Sequence, residues 1–420
     1  MDYNKNVLII SHNPLSETSN NGKTLASIFE GVPKENIYQI YLSAEKPNYS
    51  DMCHYLQINE KQILKSILCC ENQCCKEVNA TFDKQISVTI SMSSFANQTK
   101  RLLRELIWKF GLWRPKLAQW LKDKRFDAVF FMAGDGLFAY DVYSFVMESI
   151  EAKGCMFFTD DYVIGRSSCS PVAFIRRFLL RRKIHQSLKI TKELFVISDE
   201  MKNAYYDIFH RDSCVVRNFS VESVSCKDKK NISDDVVMIY AGGLHYNRWK
   251  VLAEIANAIN QINEHSRLKC RLEIYSAQNV SQNILEEISI DGVSEFKGSI
   301  PASQIAAIYS KADVLVHVES FDKKAMASTM YSFSTKIPEY MSAGKCIFAV
   351  GPNEVASMRY LLDVACVAND QSSILSRVDY LLNNAQYRAC VGNRCREKFE
   401  QDFSNEKQKE CLNQIFSIIS

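Results

Sequence analysis

The chain has 420 residues, of which 47% are hydrophobic and 24% are charged, with a formal net charge of +3. This composition excludes an intrinsically disordered chain, and the small net charge gives no support to a nucleic-acid-binding protein. The sequence has no run of about 18 apolar residues that could span a membrane, and its N-terminus lacks the apolar core of a secretory signal. We therefore expect a cytoplasmic protein of two or three domains.

Short apolar runs alternate with helical patterns along the chain. Short continuous strands separated by amphipathic helices are typical of parallel sheets that are covered on both faces. The predicted fold class is α/β, with two doubly wound Rossmann-like domains that face each other across a cleft. The predicted strands are Val7–Ile10, Ala128–Met132, Cys155–Thr159, Leu194–Ile197, Cys214–Val216, Val236–Tyr240, Leu272–Tyr275, Val314–Val318 and Cys346–Val350. Helical patterns between them include Trp249–Ile262, Ala302–Ser310 and Ile337–Ala343.

The best domain boundary is the segment Val221–Asp235, which is polar, charged and without periodicity. It predicts an N-terminal domain over residues 1–222 and a C-terminal domain over residues 236–386. Residues 387–420 form a predicted helical segment that could pack across either half.

The chain has fifteen cysteines, and one cluster stands out, Cys69-Cys70 with Cys74-Cys75. Without an export signal we expect the thiols to be reduced, so most of them are predicted to be small core residues. Adjacent cysteines are unlike the two separated ligand pairs of a zinc site, so no metal site and no cofactor are predicted.

The first loop with chemical interest contains Asn21 and Gly22, followed by a helix from Lys23. The ending Gly22-Lys23-Thr24 resembles a P-loop, but that motif needs a glycine where Glu17 stands, so a nucleotide-hydrolase cradle is excluded. A glycine before a helix N-terminus lets a ligand approach backbone N–H groups. The alternative is an ordinary strand-to-helix loop.

The C-terminal half carries a more specific pattern. Strand Val236–Tyr240 runs into Gly242-Gly243, and Arg248 begins the next helix. A guanidinium at that place offers two parallel donors to phosphate oxygens.

A second anion site is predicted at Ser334, Thr335 and Lys336, where a helix N-terminus presents N–H groups beside an ammonium group. Glu339, one turn further on, is suited to accept hydrogen bonds from sugar hydroxyls. The alternative for each piece alone is a capped surface helix. Together they predict a nucleoside-diphosphate site.

Three segments carry a resemblance to a known family: YAGGLHYNRW, VSEFKGSIPASQIAAIYSKADVLVHVES and SFSTKIPEYMSAGKCIFAVGP. They resemble the family-four retaining glycosyltransferases of the GT-B fold, particularly those of bacterial surface-polysaccharide biosynthesis. The resemblance implies that Arg248 and Lys336 hold the donor diphosphate and that Glu339 binds the ribose. It also implies donor contacts from Asn21, Gly22, Gly243, Phe296, Lys297, Gly298, Ser334 and Thr335, and it matches family segments at Ser198 and Asn218.

The sequence departs from the family pattern at two places. Tyr331 stands where the first of two glutamates is expected, and Glu319 is the candidate for a displaced one. A histidine that many relatives carry after the strand Ala128–Met132 is missing. The polar groups expected to face the acceptor are therefore Asp135, Asp160 and Asp161. The adjacent aspartates mimic a metal motif of another glycosyltransferase fold, but the cationic diphosphate site favours a metal-independent enzyme.

The resemblance implies transfer of a sugar from a nucleoside-diphosphate sugar to a glycan or polyprenyl-linked acceptor, with retention. Two alternatives stay open: a sugar-nucleotide 2-epimerase of the same fold, and a catalytically silent sugar-nucleotide-binding subunit.

Two basic stretches, residues 100–125 and 172–189, combine lysine and arginine with aromatic or aliphatic side chains. Such helices can lie on an anionic membrane surface, which predicts peripheral attachment at the inner face. The alternative is a solvated helix whose apolar side lies in the core. Nucleic-acid binding is not predicted, because no recognised module accompanies the charge.

Overall fold

The computed structural model describes residues 4–17, 20–69, 74–81, 94–164, 171–217 and 235–417. Within these residues the chain divides into two compact units. The first comprises residues 4–164, 171–216 and 408–417, and the second comprises residue 217 and residues 235–407.

The first unit is built on an eight-stranded sheet of order β4-β3-β2-β1-β5-β6-β7-β8 among its described residues. All neighbouring strands are parallel except β3 and β4, which are antiparallel. The strands are β1 (Val7–Ser11), β2 (Ile37–Tyr41), β3 (His54–Ile58), β4 (Cys75–Val78), β5 (Ala128–Ala133), β6 (Lys153–Phe158), β7 (Thr191–Val196) and β8 (Cys214–Val215). The helices are α1 (Asn20–Ile28), α2 (Glu60–Cys69), α3 (Ser94–Lys109), α4 (Arg114–Leu121), α5 (Leu137–Ser149), α6 (Pro171–Leu188) and α7 (Asp199–Phe209).

The second unit has a six-stranded parallel sheet of order β11-β10-β9-β12-β13-β14 in the described part of the chain. Its strands are β9 (Val236–Ala241), β10 (Cys270–Tyr275), β11 (Ser294–Gly298), β12 (Val314–Val318), β13 (Cys346–Val350) and β14 (Cys366–Ala368). The helices that follow in the chain are α8 (Arg248–His265), α9 (Gln282–Ile288), α10 (Ile305–Lys311), α11 (Lys323–Thr329), α12 (Lys336–Ser342), α13 (Ala356–Leu361), α14 (Ile374–Asn383), α15 (Ala385–Phe403) and α16 (Asn405–Ser417).

Central strands of both sheets are buried along their whole length, as the apolar runs predict. Every residue of β1, β5, β9, β12 and β13 is buried. Helices cover both faces of such a parallel sheet, so neither face contacts solvent. The strands can therefore be apolar throughout and need not alternate apolar with polar residues. The predicted α/β class with two doubly wound sheets is confirmed.

The order of strands reverses direction once in each sheet, at β1 and at β9. β1 lies between β2 and β5, and β9 lies between β10 and β12. In open α/β sheets a ligand binds beyond the carboxyl ends of the strands at such a switch point. The loops after β1 and β9 therefore occupy the positions at which each unit would bind a ligand.

The predicted helical segment over residues 387–420 is divided between the two units. Helix α15 belongs to the second unit, whereas most of α16 belongs to the first. The Gln408 side-chain amide donates to the backbone carbonyl of Ser27, and Leu412 packs near Gly31.

Two further expectations concern cysteines and membranes. Burial raises the pKa of the Cys155 and Cys411 thiols to about 12, which leaves both as unreactive core residues. Residues 70–73 of the cysteine cluster lie outside the described residues. None of the helices in the described ranges is long and apolar enough to cross a membrane.

Close packing at Gly154 in β6 gives a test of the first unit. A Cβ atom at this position would overlap the buried hydroxyl of Tyr143, which hydrogen-bonds Thr191 Oγ1 at 3.0 Å. We expect Gly154→Ala to lower the free energy of unfolding by about 1–3 kcal/mol, as overpacking of a core does. Denaturant titration of the full chain measures this loss. Gly134→Ala is the matched control, because a Cβ atom there meets nothing within 4 Å. An equal effect of the two variants would contradict the packing argument.

Candidate functional site

The loop after β9 is fixed by hydrogen bonds at the switch point of the second sheet. The Tyr240 hydroxyl donates to the Gly243 carbonyl at 2.6 Å. The backbone N–H of Leu244 donates to Gln278 Oε1 at 2.7 Å, and Gln278 Nε2 lies 2.7 Å from His245 Nδ1. Tyr240 at the end of β9 and Gln278 after β10 thus hold the loop in one conformation.

Two residues at the end of this loop have left-handed backbone conformations. Tyr246 has φ 58° and Asn247 has φ 60°, and helix α8 begins directly after them at Arg248. Non-glycine residues in this region cost roughly 1–2 kcal/mol each. The turn directs the first side chain of α8 back to the sheet edge, where the Arg248 guanidinium lies 6.0 Å from the Tyr246 ring centroid.

Arg248 forms a buried ion pair with Glu319, which follows β12. Arg248 Nη2 lies 2.9 Å from both carboxylate oxygens, and Nε lies 3.3 Å from Oε2. The side chain of Glu319 is 2% exposed and that of Arg248 is 16% exposed. Burial acts to lower the pKa of Arg248, but the charge of Glu319 outweighs it and the pKa is raised. Burial raises the pKa of Glu319, and the guanidinium opposes that change.

Glu319 is also constrained by its own backbone and by a neighbouring histidine. Its N–H donates to the Val350 carbonyl at 2.8 Å, and a Cβ atom on Gly351 would lie 2.8 Å from the Glu319 Cβ. His317 Nε2 lies 3.6 Å from Glu319 Oε1. Burial, with help from Arg248, lowers the pKa of His317 to about 3, so this imidazole is neutral.

A second ion pair, Lys336 with Glu339, lies at the start of α12. Lys336 Nζ lies 3.0 Å from Glu339 Oε2, to which the Tyr309 hydroxyl also donates at 3.2 Å. Glu339 is buried and the ammonium group is partly exposed. The Tyr340 hydroxyl accepts from the Ala241 N–H at 2.9 Å, so α12 is tied to the end of β9. The structure therefore brings Arg248, Glu319, Lys336 and Glu339 to one edge of the second sheet.

The N-terminus of α12 differs in detail from the sequence expectation. Thr335 occupies the cap position, but its side chain makes no cap hydrogen bond. Instead, Ser334 Oγ accepts from the Lys336 N–H at 3.3 Å, and the Ser334 N–H donates to Ser357 Oγ at 3.0 Å. Ser334 therefore caps the turn, because Thr335 is already in a helical conformation.

The segment predicted to lie near the base forms the edge strand β11. Phe296 is half-buried, and the exposed Lys297 pairs with Glu295 on its own strand. Gly298 has φ +75°, and its carbonyl accepts from the Ser276 N–H at 2.8 Å. A role for these residues in base binding stays a prediction.

In the first unit, Asp135 lies between two arginines in the loop after β5. Its Oδ2 atom is 3.0 Å from Arg176 Nη2 and 3.4 Å from Arg101 Nη1. Burial acts to raise the pKa of this carboxyl, but the two guanidinium groups outweigh it and the pKa is lowered. Asp135 is thus a charged group at a sheet switch point, with helices α3 and α6 on either side of it.

Asp160 and Asp161 follow β6, as predicted, and are half-buried. Asp161 Oδ1 accepts from the backbone N–H groups of Val163 and Ile164 at 2.8 and 2.9 Å. These bonds give Asp161 a role in shaping the loop that the sequence did not predict.

Asn21 and Gly22 lie in the first turn of α1, which begins at Asn20, so the prediction of a loop with a helix from Lys23 is wrong. A Cβ atom at Gly22 would overlap the carbonyl oxygen of Pro14, so the glycine lets the helix approach the loop after β1. This packing gives a structural reason for the glycine. Contact of either residue with a donor stays a prediction.

Sequence reasoning missed several polar residues that build the first unit's loops. Buried Gln39 accepts from the Leu15 N–H at 2.9 Å and donates to Ser11 Oγ at 2.8 Å. Glu105 accepts from the N–H groups of Leu137 and Phe138, which begin α5, at 2.8 and 3.1 Å. These residues come from distant parts of the sequence, and no local pattern marks them. Of the two remaining family-like positions, Ser198 caps α7 by accepting from the Met201 N–H at 3.2 Å, and Asn218 lies outside the described residues.

Comparisons with known proteins concern the second unit's domain and the fold. Residues 235–384 match the family model described as "Glycosyl transferases group 1". None of the curated proteins matches the sequence. The second unit thus carries a glycosyltransferase domain of this group, which confirms the resemblance drawn from its motifs.

Solved structures show the same fold at low sequence identity. A glycosyltransferase from Rickettsia africae is 12% identical with a TM-score of 0.60, and all of both chains is covered. An alpha,alpha-trehalose-phosphate synthase (UDP-forming) from Burkholderia xenovorans, in complex with glucose-6-phosphate, is 10% identical with a TM-score of 0.60, covering 98% of this chain and 99% of that one. A point mutant of S. aureus TarM, in complex with fondaparinux, alpha-GlcNAc-glycerol and UDP, is 14% identical with a TM-score of 0.51, covering 71% of this chain and 58% of that one. The fold is that of the GT-B glycosyltransferases.

The buried ion pair makes a prediction about stability. Arg248→Ala leaves the Glu319 carboxylate buried without its cation, so we expect a loss of about 3–5 kcal/mol in the free energy of unfolding. Without the guanidinium, the folded-state pKa of Glu319 lies further above its unfolded value. The destabilisation therefore increases as pH rises above the ordinary carboxyl range. Part of the lost stability is recovered when pH is lowered from 7 to 5.

Denaturant titrations of the second-unit transition at pH 7 and pH 5 measure these effects. The double variant Arg248→Met, Glu319→Leu removes both charges and should recover most of the loss. Lys297→Met, whose partner Glu295 is exposed, is the control and should change stability by less than about 1 kcal/mol. A fully stable Arg248→Ala at pH 7 would refute the buried-pair argument.

Proposed function

We propose that the chain, whose second unit is a group 1 glycosyltransferase domain, moves a sugar from a nucleoside-diphosphate sugar to a glycan or polyprenyl-linked acceptor. The observation that carries the proposal is the convergence of two cations, Arg248 and Lys336, at the switch point of the second sheet. Transfer proceeds with retention and serves surface-polysaccharide synthesis, as the sequence resemblance implies.

The two ion pairs suit the binding of a diphosphate. Glu319 engages Nε and Nη2 of Arg248, so Nη1 is directed away from that carboxylate toward His245. Lys336 is partly exposed, and its ammonium group is held by the buried carboxylate of Glu339. Phosphate oxygens can therefore approach both cations while the buried acids keep them in position.

Glu339 is proposed to bind the ribose. Its carboxylate is oriented by the Lys336 ammonium and the Tyr309 hydroxyl, at one side of the proposed diphosphate site. A fixed carboxylate accepts hydrogen bonds from vicinal hydroxyls without further ordering cost. The TarM structure contains UDP and the Burkholderia enzyme is UDP-forming, so uridine nucleotides are the first donors to test.

The catalytic work of this site is to stabilise a leaving group. As the anomeric C–O bond breaks, negative charge develops on the nucleoside diphosphate. Arg248 and Lys336 are preorganised cations for that charge, and such preorganisation commonly contributes more to catalysis than any other effect. We propose front-face substitution without a covalent intermediate, and a metal-independent reaction, because the cations supply the neutralising charge.

The acceptor is proposed to bind at the switch point of the first sheet. Asp135 is a charged group there, and Asp160 follows the next strand in the sheet. A carboxylate held between Arg101 and Arg176 can accept a hydrogen bond from an acceptor hydroxyl.

Nucleotide binding tests the donor site. UDP at about 100 times its Kd should stabilise the protein by about 2.7 kcal/mol, measured as a rise in Tm. Glu339→Ala should weaken UDP binding by about 2–4 kcal/mol through the loss of two ribose hydrogen bonds. Glu264→Ala, at the exposed C-terminal end of α8, is the matched control and should leave the Kd of UDP unchanged.

Product analysis with a labelled UDP-sugar then separates the functions. A glycoside product supports the transferase, an epimerised nucleotide indicates a 2-epimerase, and binding without turnover indicates a silent subunit. Loss of activity with a chelator and its recovery with Mn²⁺ would contradict metal independence. Failure of every nucleoside diphosphate to raise the Tm would overturn the donor site.

A membrane surface is proposed on helices α3 and α6 of the first unit. More than half of the large apolar side chains that are exposed among the described residues lie on these helices or next to them. Each helix also has buried side chains, which are Ile107 and Trp108 on α3 and Leu180 and Ile184 on α6. The exposed side chains are Leu102, Leu103, Leu106, Phe110, Leu112, Val172, Phe174, Ile175, Phe178 and Leu179.

The charge of this surface favours an anionic partner. Helix α6 has no acidic residue, and Arg182 is exposed on it. Several cations of the same stretches are paired with acidic side chains: Arg176 with Asp135, Lys183 with Asp141, and Arg104 with Glu60. The electrostatic attraction to an anionic surface therefore depends on fewer lysines and arginines than the two stretches contain. Exposed apolar side chains among cations suit a leaflet with anionic lipids better than a second copy of an equally basic face.

Asp135 connects this surface to the proposed acceptor site. Arg101 of α3 and Arg176 of α6 contact the same carboxylate oxygen, so the two helices flank the loop after β5. A polyprenyl-linked acceptor held in the leaflet would meet the protein beside Asp135. Localisation at the inner face of the membrane follows from the proposal.

Vesicle co-sedimentation tests the surface. We expect the full chain to bind vesicles of phosphatidylglycerol and phosphatidylcholine but not phosphatidylcholine alone, with less binding at high salt. Phe174→Ser with Phe178→Ser should lower the partition coefficient at least about tenfold, since two large apolar side chains no longer insert. Met52→Ser, at a comparably exposed side chain of the same unit, is the control.

Equal binding of the double variant and the wild type would overturn the proposal. A concentration-dependent dimer that the double variant abolishes would assign the surface to a second copy of the chain. UDP binding by each variant reports the donor site separately.

A further inference from the structure

His245 presents a hydrogen-bond donor to the same space as Arg248, and its tautomer follows from the contacts around it. The backbone N–H of Leu244 can only donate, so the atom of Gln278 that lies 2.7 Å from it is the amide oxygen. The other end of that amide is then the NH₂ group, which lies 2.7 Å from His245 Nδ1. An NH₂ group donates, so Nδ1 accepts, and a neutral imidazole then carries its proton on Nε2.

The protonated nitrogen of His245 faces another donor. His245 Nε2 lies 3.4 Å from Arg248 Nη1. Both atoms carry hydrogens, so neither can accept from the other. Partial burial and then the charge of Arg248 lower the pKa of His245, which favours the neutral imidazole. Two donors side by side at an exposed edge are satisfied together by one acceptor with several lone pairs.

Gly243 makes room for this arrangement. A Cβ atom on Gly243 would lie 2.5 Å from both Nδ1 and Cε1 of His245 and 3.5 Å from Gln278 Nε2. The backbone at Gly243 does not have a positive φ, so space and not conformation requires glycine here. Gly243, Gln278 and His245 together therefore fix the direction of the Nε2–H bond.

We propose that His245 is a phosphate-binding residue, whose Nε2–H donates with Arg248 Nη1 to one oxygen of the donor's diphosphate. The proposal rests on the proposed function and adds a specific contact to it. Gln278 and Gly243 are positioning residues in this scheme, since they act through the imidazole. An ammonium or a guanidinium at position 245 would place a second full charge beside Arg248, whereas a neutral imidazole adds a donor without that repulsion.

Binding of UDP and of uridine tests the contact. His245→Phe should weaken UDP about tenfold, the loss expected for one hydrogen bond to a charged group, and should leave the Kd of uridine unchanged. His245→Gln, which restores a donor, should recover part of the loss. Gly243→Ala should weaken UDP to a similar degree, and the double variant Gly243→Ala, His245→Phe should be no weaker than His245→Phe alone.

The tautomer itself is measurable without ligand. The ¹⁵N spectrum of His245 at pH 7 should show a protonated Nε2 and an unprotonated Nδ1, and Gln278→Leu should remove that preference. Additive losses in the double variant, or a protonated Nδ1 in the wild type, would overturn the proposal. If the wild type binds no UDP at all, the proposed function fails while the tautomer prediction stands by itself.

Discussion

The buried ion pair between Arg248 and Glu319 is the constraint on which the second unit's site depends. Both groups are largely removed from water, so each needs the other to be tolerated. The loop after β9 must deliver the guanidinium to the carboxylate, and the two left-handed residues before α8 accomplish this despite their conformational cost. Gly351 follows β13 and has no Cβ atom, so its backbone can lie close to Glu319. Stability and the proposed diphosphate contact therefore depend on the same arginine.

Much of the fold could be predicted because burial on both faces of a parallel sheet leaves a simple apolar signature. Strands β1, β5, β9, β12 and β13 have that signature. Strands β2 and β3 do not, because each contains a glutamine that is buried to bond neighbouring loops. A polar residue in a strand usually indicates a wet face, and only the three-dimensional contacts show that Gln39 and Gln57 serve the core.

The site was predictable to the extent that its residues lie next to strand ends or helix starts. Arg248 and Glu319 follow strands β9 and β12, whereas Lys336 and Glu339 lie in the first turn of α12. The structure gathers all four at the carboxyl end of the second sheet. The pairing of each cation with a buried acid could not be predicted, since it depends on side-chain distances across the sheet. The same holds for Glu105, which comes from a distant helix to bond the first N–H groups of α5. Contacts between residues that are far apart in the chain produce no periodic pattern in the sequence.

Helix α16 has a consequence for biosynthesis. It follows the whole second unit in the chain, yet most of it packs within the first unit, next to Ser27 and Gly31. A ribosome makes these residues after the whole second unit, so the first unit lacks one of its helices until the second unit has been synthesised. Expression of the first 217 residues alone would leave the surface beneath α16 uncovered. The two units are thus not separable by a single cut, and the order of folding need not follow the order of translation.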